Sequence, residues 1–198
     1  MAACSKIAAD ILYGCAQMVA GIKDIAYFVN IEDIDKDSCA FDPSNPTLLS
    51  QLVLKTASPE LKAYQIEGHN YSNEHDTALV KAKFYNSWDH NFRFRIFNNT
   101  PEDKLWIKNA TEARFVIIQE NNYSNLASPA GRTVFEVLGW DFGLEVKECV
   151  RVAADPELAG GWNILAGCSD DMKESMPPLA MFVGGSITAT RAAIASLL

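Results

Sequence analysis

TALVKAKFYNSWDHNFRFRIFNNTPEDKLWIKNATEARFVIIQEN, residues 77–121, reads as strand, strand, helix, strand. Val80, Ala82 and Phe84 alternate with Leu79, Lys81, Lys83 and Tyr85, and Phe92, Phe94 and Ile96 alternate with Arg93, Arg95 and Phe97. Period-two alternation sends side chains to opposite faces of a strand. The two runs therefore predict a hairpin turning through residues 86–91, with one apolar and one cationic face. Thr100-Pro101-Glu102-Asp103 has the form of a helix start: an N-cap hydroxyl, proline at the first helical position and acids in the first turn. The helix is expected to run to about Ala113. The unbroken apolar run Phe115-Val116-Ile117-Ile118 predicts a buried strand.

Outward from this block the same punctuation continues. Strands are expected at residues 25–31, 50–56, 62–67, 133–138, 144–152, 161–168 and 179–183. Residues 32–42 carry Glu32, Asp33, Asp35, Asp37 and Asp42 against Lys36 and predict an exposed acidic loop, prolonged by Pro43 and Pro46. Residues 68–76 are polar and turn-rich. Gly139-Trp140-Asp141-Phe142-Gly143 predicts a tight corner. In residues 144–152, Leu144, Val146, Val150 and Val152 are expected on one side, with Glu145, Lys147 and Arg151 on the other. Ile187, Arg191, Ile194 and Leu198 recur at helical spacing and predict a C-terminal helix. Many short strands separated by turns, with one or two short helices, indicate a mainly β chain: a β-sandwich or barrel with a flanking helix. One domain over residues 1–198 is expected, with an N-terminal arm over about 1–24.

Charge narrows the function. Seventeen basic against twenty-five acidic residues give a net charge of −8. Tight nucleic-acid binding draws on cations that neutralise phosphates, so this balance opposes it. The five cysteines, Cys4, Cys15, Cys39, Cys149 and Cys168, have no two-residue spacing and are expected as free thiols. The N-terminal residues lack the basic start and clean apolar core of a signal peptide, and no run reaches the length of a membrane span.

Catalytic motifs are missing from the sequence. There is no nucleophile elbow, P-loop or dinucleotide fingerprint. His69, His75 and His90 are expected in exposed polar turns, without the spacing of metal ligands. Gly184-Gly185-Ser186 stands before the C-terminal helix, where an anion could bind, but three residues are a weak signal. No enzyme activity, cofactor or metal is expected. The cationic face of Lys81, Lys83, Arg93 and Arg95 reads either as a solvated sheet face or as a docking surface for acids of a neighbouring subunit, such as Glu32, Asp33, Asp35 and Asp37. Trp88, Trp106, Trp140 and Trp162 lie at turns or element edges and are expected to cap the core.

The order of hairpin (residues 78–97), helix (100–113), strand (115–120), and Phe135-Glu136-Val137-Leu138-Gly139-Trp140-Asp141 with Gly143-Leu144 resembles the tail tube proteins of long-tailed bacteriophages. The resemblance covers most of the chain from about Ile25 onward and rests on no short diagnostic motif. It implies a β-sandwich with a flanking helix and a structural virion protein. Copies would stack as hexameric rings around a channel through which DNA passes without specific binding. It also implies other tail proteins as partners, synthesis in the host bacterial cytoplasm and residence in the virion tail. Two other readings stand beside it: another virion part, such as a capsid decoration, baseplate or tail terminator, and a β-barrel carrier of a small molecule, which would need a closed apolar cavity.

Overall fold

Phe115, Val116, Ile117 and Ile118 are all buried, which a strand achieves only when both of its faces are covered. The computed structural model describes residues 21–57, 59–69, 72–81, 85–122, 134–156 and 160–198. The strands are β1 (Ile22–Asn30), β2 (Ala40–Asp42), β3 (Asn45–Gln51), β4 (Tyr64–Glu67), β5 (Glu74–Lys81), β6 (Asn86–Ile96), β7 (Phe115–Asn121), β8 (Phe135–Leu138), β9 (Leu144–Arg151), β10 (Trp162–Cys168) and β11 (Leu179–Met181). The helices are α1 (Pro101–Ala110) and α2 (Ile187–Ala195), with one short 3-10 turn at Ile31–Asp33. The protein is mainly β, consistent with a β-sandwich carrying short helices.

The strands form one mixed sheet ordered β2-β3-β11-β8-β7-β9-β10-β6-β5, with β1 pairing both β7 and β4. β7 meets β9 at a single pair, Phe115 opposite Leu144, and there the sheet folds over into two layers. Phe115 and Ile117 face a first core with Ala26 and Phe28 of β1, Phe92 and Phe94 of β6, and Ile164 and Ala166 of β10. Val116 and Ile118 face a second core with Leu49, Val137, Leu179, Met181 and Ile194. Ile107 and Ala110 place α1 on the first core, and Ile194 places α2 on the second.

Both helix starts follow from local chemistry. Thr100 and Asp103 form a reciprocal capping box with Pro101 in the first turn. The Ser186 hydroxyl accepts the Ala189 backbone N–H, so the start of α2 after Gly184-Gly185 is capped by its own chain. In the first core Phe28 stands edge-on to Phe94 at 5.0 Å and to Trp106 at 5.8 Å.

Several expectations are corrected. Residues 86–91 lie inside β6; the hairpin instead turns between Lys81 and Asn86, and the strand before it starts at Glu74. The polar residues of this stretch do not mark a turn, because Ser87 and His90 are buried in the strand by partners distant in sequence. Pro46 lies in β3 rather than a loop, near the strand start where its missing N–H costs no β11 pair, since that pairing begins at Leu48. Residues 52–56 are not a strand, although Leu54 makes an isolated bridge to Ile34. Residues 22–24 belong to β1 rather than to an arm, and residues 1–20 lie outside the described residues. In β9 a register shift opposite Leu165 and Ala166 flips the alternation. Val146 therefore packs on the first core, while Val150 and Val152 are both 52% exposed.

Phe94 is fully buried and Tyr85 is 65% exposed. Phe94→Ala is expected to lower the unfolding free energy by about 3–5 kcal/mol, and Tyr85→Ala by less than about 0.5 kcal/mol. Urea titration of the dispersed protein checks this; comparable losses would contradict the assignment.

Candidate assembly surface

The register of the β5–β6 hairpin separates the residues expected to form one cationic face. Lys81 pairs with Asn86, on the face that further along carries Phe92 and Phe94, whereas Arg93 pairs with Glu74 on the other face. Asn86 and Arg93 are seven positions apart, about 23 Å along the strand. The Arg93 guanidinium lies 3.7 Å from the Glu74 carboxylate, and Arg95 stands opposite Asn163 of β10. Lys83 lies outside the described residues. Lys81 and Arg93 therefore do not share a face, because the strand β6 already begins at Asn86.

The acidic residues stay together. Asp33 accepts from the Asn30 amide in the 3-10 turn, and Asp35 accepts from the Ser38 backbone and hydroxyl. Glu32 and Asp37 are exposed. The segment is less free than an acidic loop would be, because Ile34 is buried beneath it and Ala40–Asp42 pairs as β2. Lys55 donates to the Glu32 carbonyl at 2.6 Å, and Lys36 donates to the Asp141 carbonyl at 2.8 Å. Within one chain, then, these acids lie beside the 139–143 corner, and none is ion-paired to Arg93 or Arg95.

That corner is held by several long-range hydrogen bonds. Gly139 and Gly143 adopt φ of 74° and 81°, and a Cβ on Gly139 would lie 2.8 Å from Leu144 Cγ. The buried Glu174 carboxylate accepts the backbone N–H groups of Asp141 and Phe142 at 2.7 and 3.1 Å. Asp141 in turn accepts from the Ser175 backbone and hydroxyl. Burial pushes the Glu174 carboxyl up, against the two backbone donors that hold it down. Nearby, Asp170 and Asp171 are exposed.

The histidines are also relocated. His75 is in β5 and His90 in β6, rather than in exposed turns; His90 is 2% exposed. His90 Nδ1 accepts the Gly139 N–H at 3.3 Å, and its Nε2 lies 3.1 Å from the Met176 carbonyl, an arrangement suited to the neutral ring with its proton on Nε2. His75 lies between Gln119 and Glu136, and His69 stands edge-on to Phe97. No group of three or more His, Cys, Asp or Glu residues suited to a metal ion occurs among the described residues. Cys39, Cys149 and Cys168 are free thiols, and burial raises each of them; Cys4 and Cys15 lie outside the described residues.

One surface escaped the sequence reading. Between β4 and the start of α1 lies a half-open groove of about 720 Å³, lined by Glu67, His69, Ile96, Phe97, Glu102 and Trp106 among others. Its residues come from three separate stretches of chain, and no spacing rule joins them. No family model matches the chain, and no curated protein or solved structure matches it.

Burial lowers the His90 imidazole from its ordinary 6.5 to about 4. Between those values the unfolded chain binds a proton that the folded chain refuses. Stability from this group is complete above about pH 6.5 and is lost as pH falls toward 4, by about 3 kcal/mol in all. Between pH 7 and 4.5, the wild type is expected to lose about 2–3 kcal/mol more in urea unfolding than His90→Gln. The Glu174 contribution has the opposite sign, because its raised carboxyl favours folding at lower pH, and it is common to both proteins. Equal losses would contradict the buried neutral ring.

Proposed function

We propose that this chain is a structural virion protein whose copies assemble into stacked, hexameric rings as the tube of a phage tail. The observation that carries the reading is a set of apolar side chains left exposed around an aromatic core. Phe28, Phe92, Phe94, Trp106 and Phe115 pack on one another in the first core. Leu79, Tyr85, Val150 and Val152 remain 43–65% exposed on the outside. Apolar side chains left at the surface are available for contacts between subunits. The order of elements in the sequence supports the same reading.

Charge fits a conduit. Cations along a channel would bind phosphates and release counterions at every ring, and the summed attraction would hold the DNA. A −8 chain with exposed Glu32, Asp37, Asp170 and Asp171 can line a channel without that attraction.

Concentrated protein viewed in negative stain is expected to form rings or tubes with a through-channel wide enough for a duplex. Those assemblies are expected not to retain duplex DNA at physiological salt. Assemblies without a channel would defeat the tube reading, and DNA retention that weakens steeply with added salt would defeat the neutral or acidic lining.

A further inference from the structure

The β5–β6 hairpin and the β4–α1 groove lie at opposite ends of one strand. β6 begins at Asn86, beside the hairpin turn, and ends at Ile96, which lines the groove together with Phe97. Ten positions at strand spacing separate these ends by about 33 Å. A hairpin tip cannot reach the groove of its own chain, but it can reach that of another.

The two surfaces are complementary in chemistry. Near its tip the hairpin presents exposed Lys81, Tyr85 at 65% and Leu79 at 43% exposure. The groove has apolar walls of Ile96, Phe97 and Trp106, with Glu67 and Glu102 exposed at its rim. Among the described residues, neither Lys81 nor either glutamate has an ion-pair partner. On the far edge β6 pairs with β10 from Asn91 onward and Trp88 bridges Glu174, so the hairpin is held by its own chain up to Trp88 and Lys81, Tyr85 and Asn86 lie exposed beyond that bridge.

Resting on the self-assembly proposed above, we infer that the hairpin tip of one copy seats in the β4–α1 groove of a second copy. Tyr85 and Leu79 enter against Trp106 and Phe97, and Lys81 meets Glu67 and Glu102. The contact joins two different surfaces, so it is head-to-tail. Such contacts propagate into rings or filaments instead of closing as a two-fold dimer. Rim charge pairs of this kind select partner and register.

The test is sedimentation velocity of the full chain across a concentration series, with Lys81→Glu, Glu102→Lys and the double charge swap. Circular dichroism of the dispersed variants checks their fold. Each single reversal is expected to weaken association by about tenfold, and the swap to recover most of that loss. If the wild type associates and the reversals associate equally well, or if the swap recovers nothing, this contact is overturned while self-assembly stands. A wild type that stays monomeric at every concentration overturns self-assembly itself. Carbodiimide cross-linking of the associated wild type supplies a readout free of mutation. Mass spectrometry of cross-linked dimers is expected to find Lys81 joined to Glu67 or Glu102, and dimers without either link overturn the contact.

Discussion

Everything in the fold hangs on β7 being dry on both faces. A half-exposed strand alternates apolar and polar residues, and Phe115-Val116-Ile117-Ile118 does not. Such a strand must be shared by two cores. Here the first core lies between the two layers of the folded sheet, and the second lies under β3, β11 and α2. β1 lies along one edge of β7 and β8 along the other, so its backbone groups are satisfied within the sheet. Removing side chains from either face would loosen one core and unsettle the wall of the other.

The second constraint is the corner at residues 139–143, where β8 gives way to β9 and the chain crosses between layers. Two left-handed glycines make the turn, and its backbone donors are taken by groups from distant strands and loops: Glu174 accepts from Asp141 and Phe142, and His90 accepts from Gly139. Burying a carboxylate and an imidazole is costly unless their hydrogen bonds are made. The corner is thereby fixed, and its fixity becomes dependent on pH through His90. The adjoining acidic segment, held through Lys36, is presented from a firm base rather than a free loop.

Much of this architecture could be read from residue order. The α1 start was legible because Thr100, Pro101 and Asp103 act locally, and β7 because a continuous apolar run has few other uses. What escaped depended on partners distant in sequence. The β9 bulge is a property of its pairing with β10, and it moved Val150 and Val152 to the outside. The turn between β5 and β6 was misplaced because His90 and Ser87 look like loop residues until the partners that bury them are known. That error assembled Lys81 and Arg93 into a face that the true register divides. The groove beside α1 could not be seen in advance, since β4, the end of β6 and α1 meet only in three dimensions.

The resulting picture is a two-core body in which, on the assembly proposed above, the exposed hairpin and the groove beside α1 carry the contacts between copies. Segment-resolved hydrogen exchange on dispersed and assembled protein tests that division of labour most directly. The account predicts that residues 115–121 are the slowest to exchange and equally slow in both states. It predicts that residues 79–81, 85–86 and the 64–69 and 101–106 segments slow only on assembly. Protection of 115–121 that changes on assembly, or a hairpin and groove that exchange alike in both states, would contradict it.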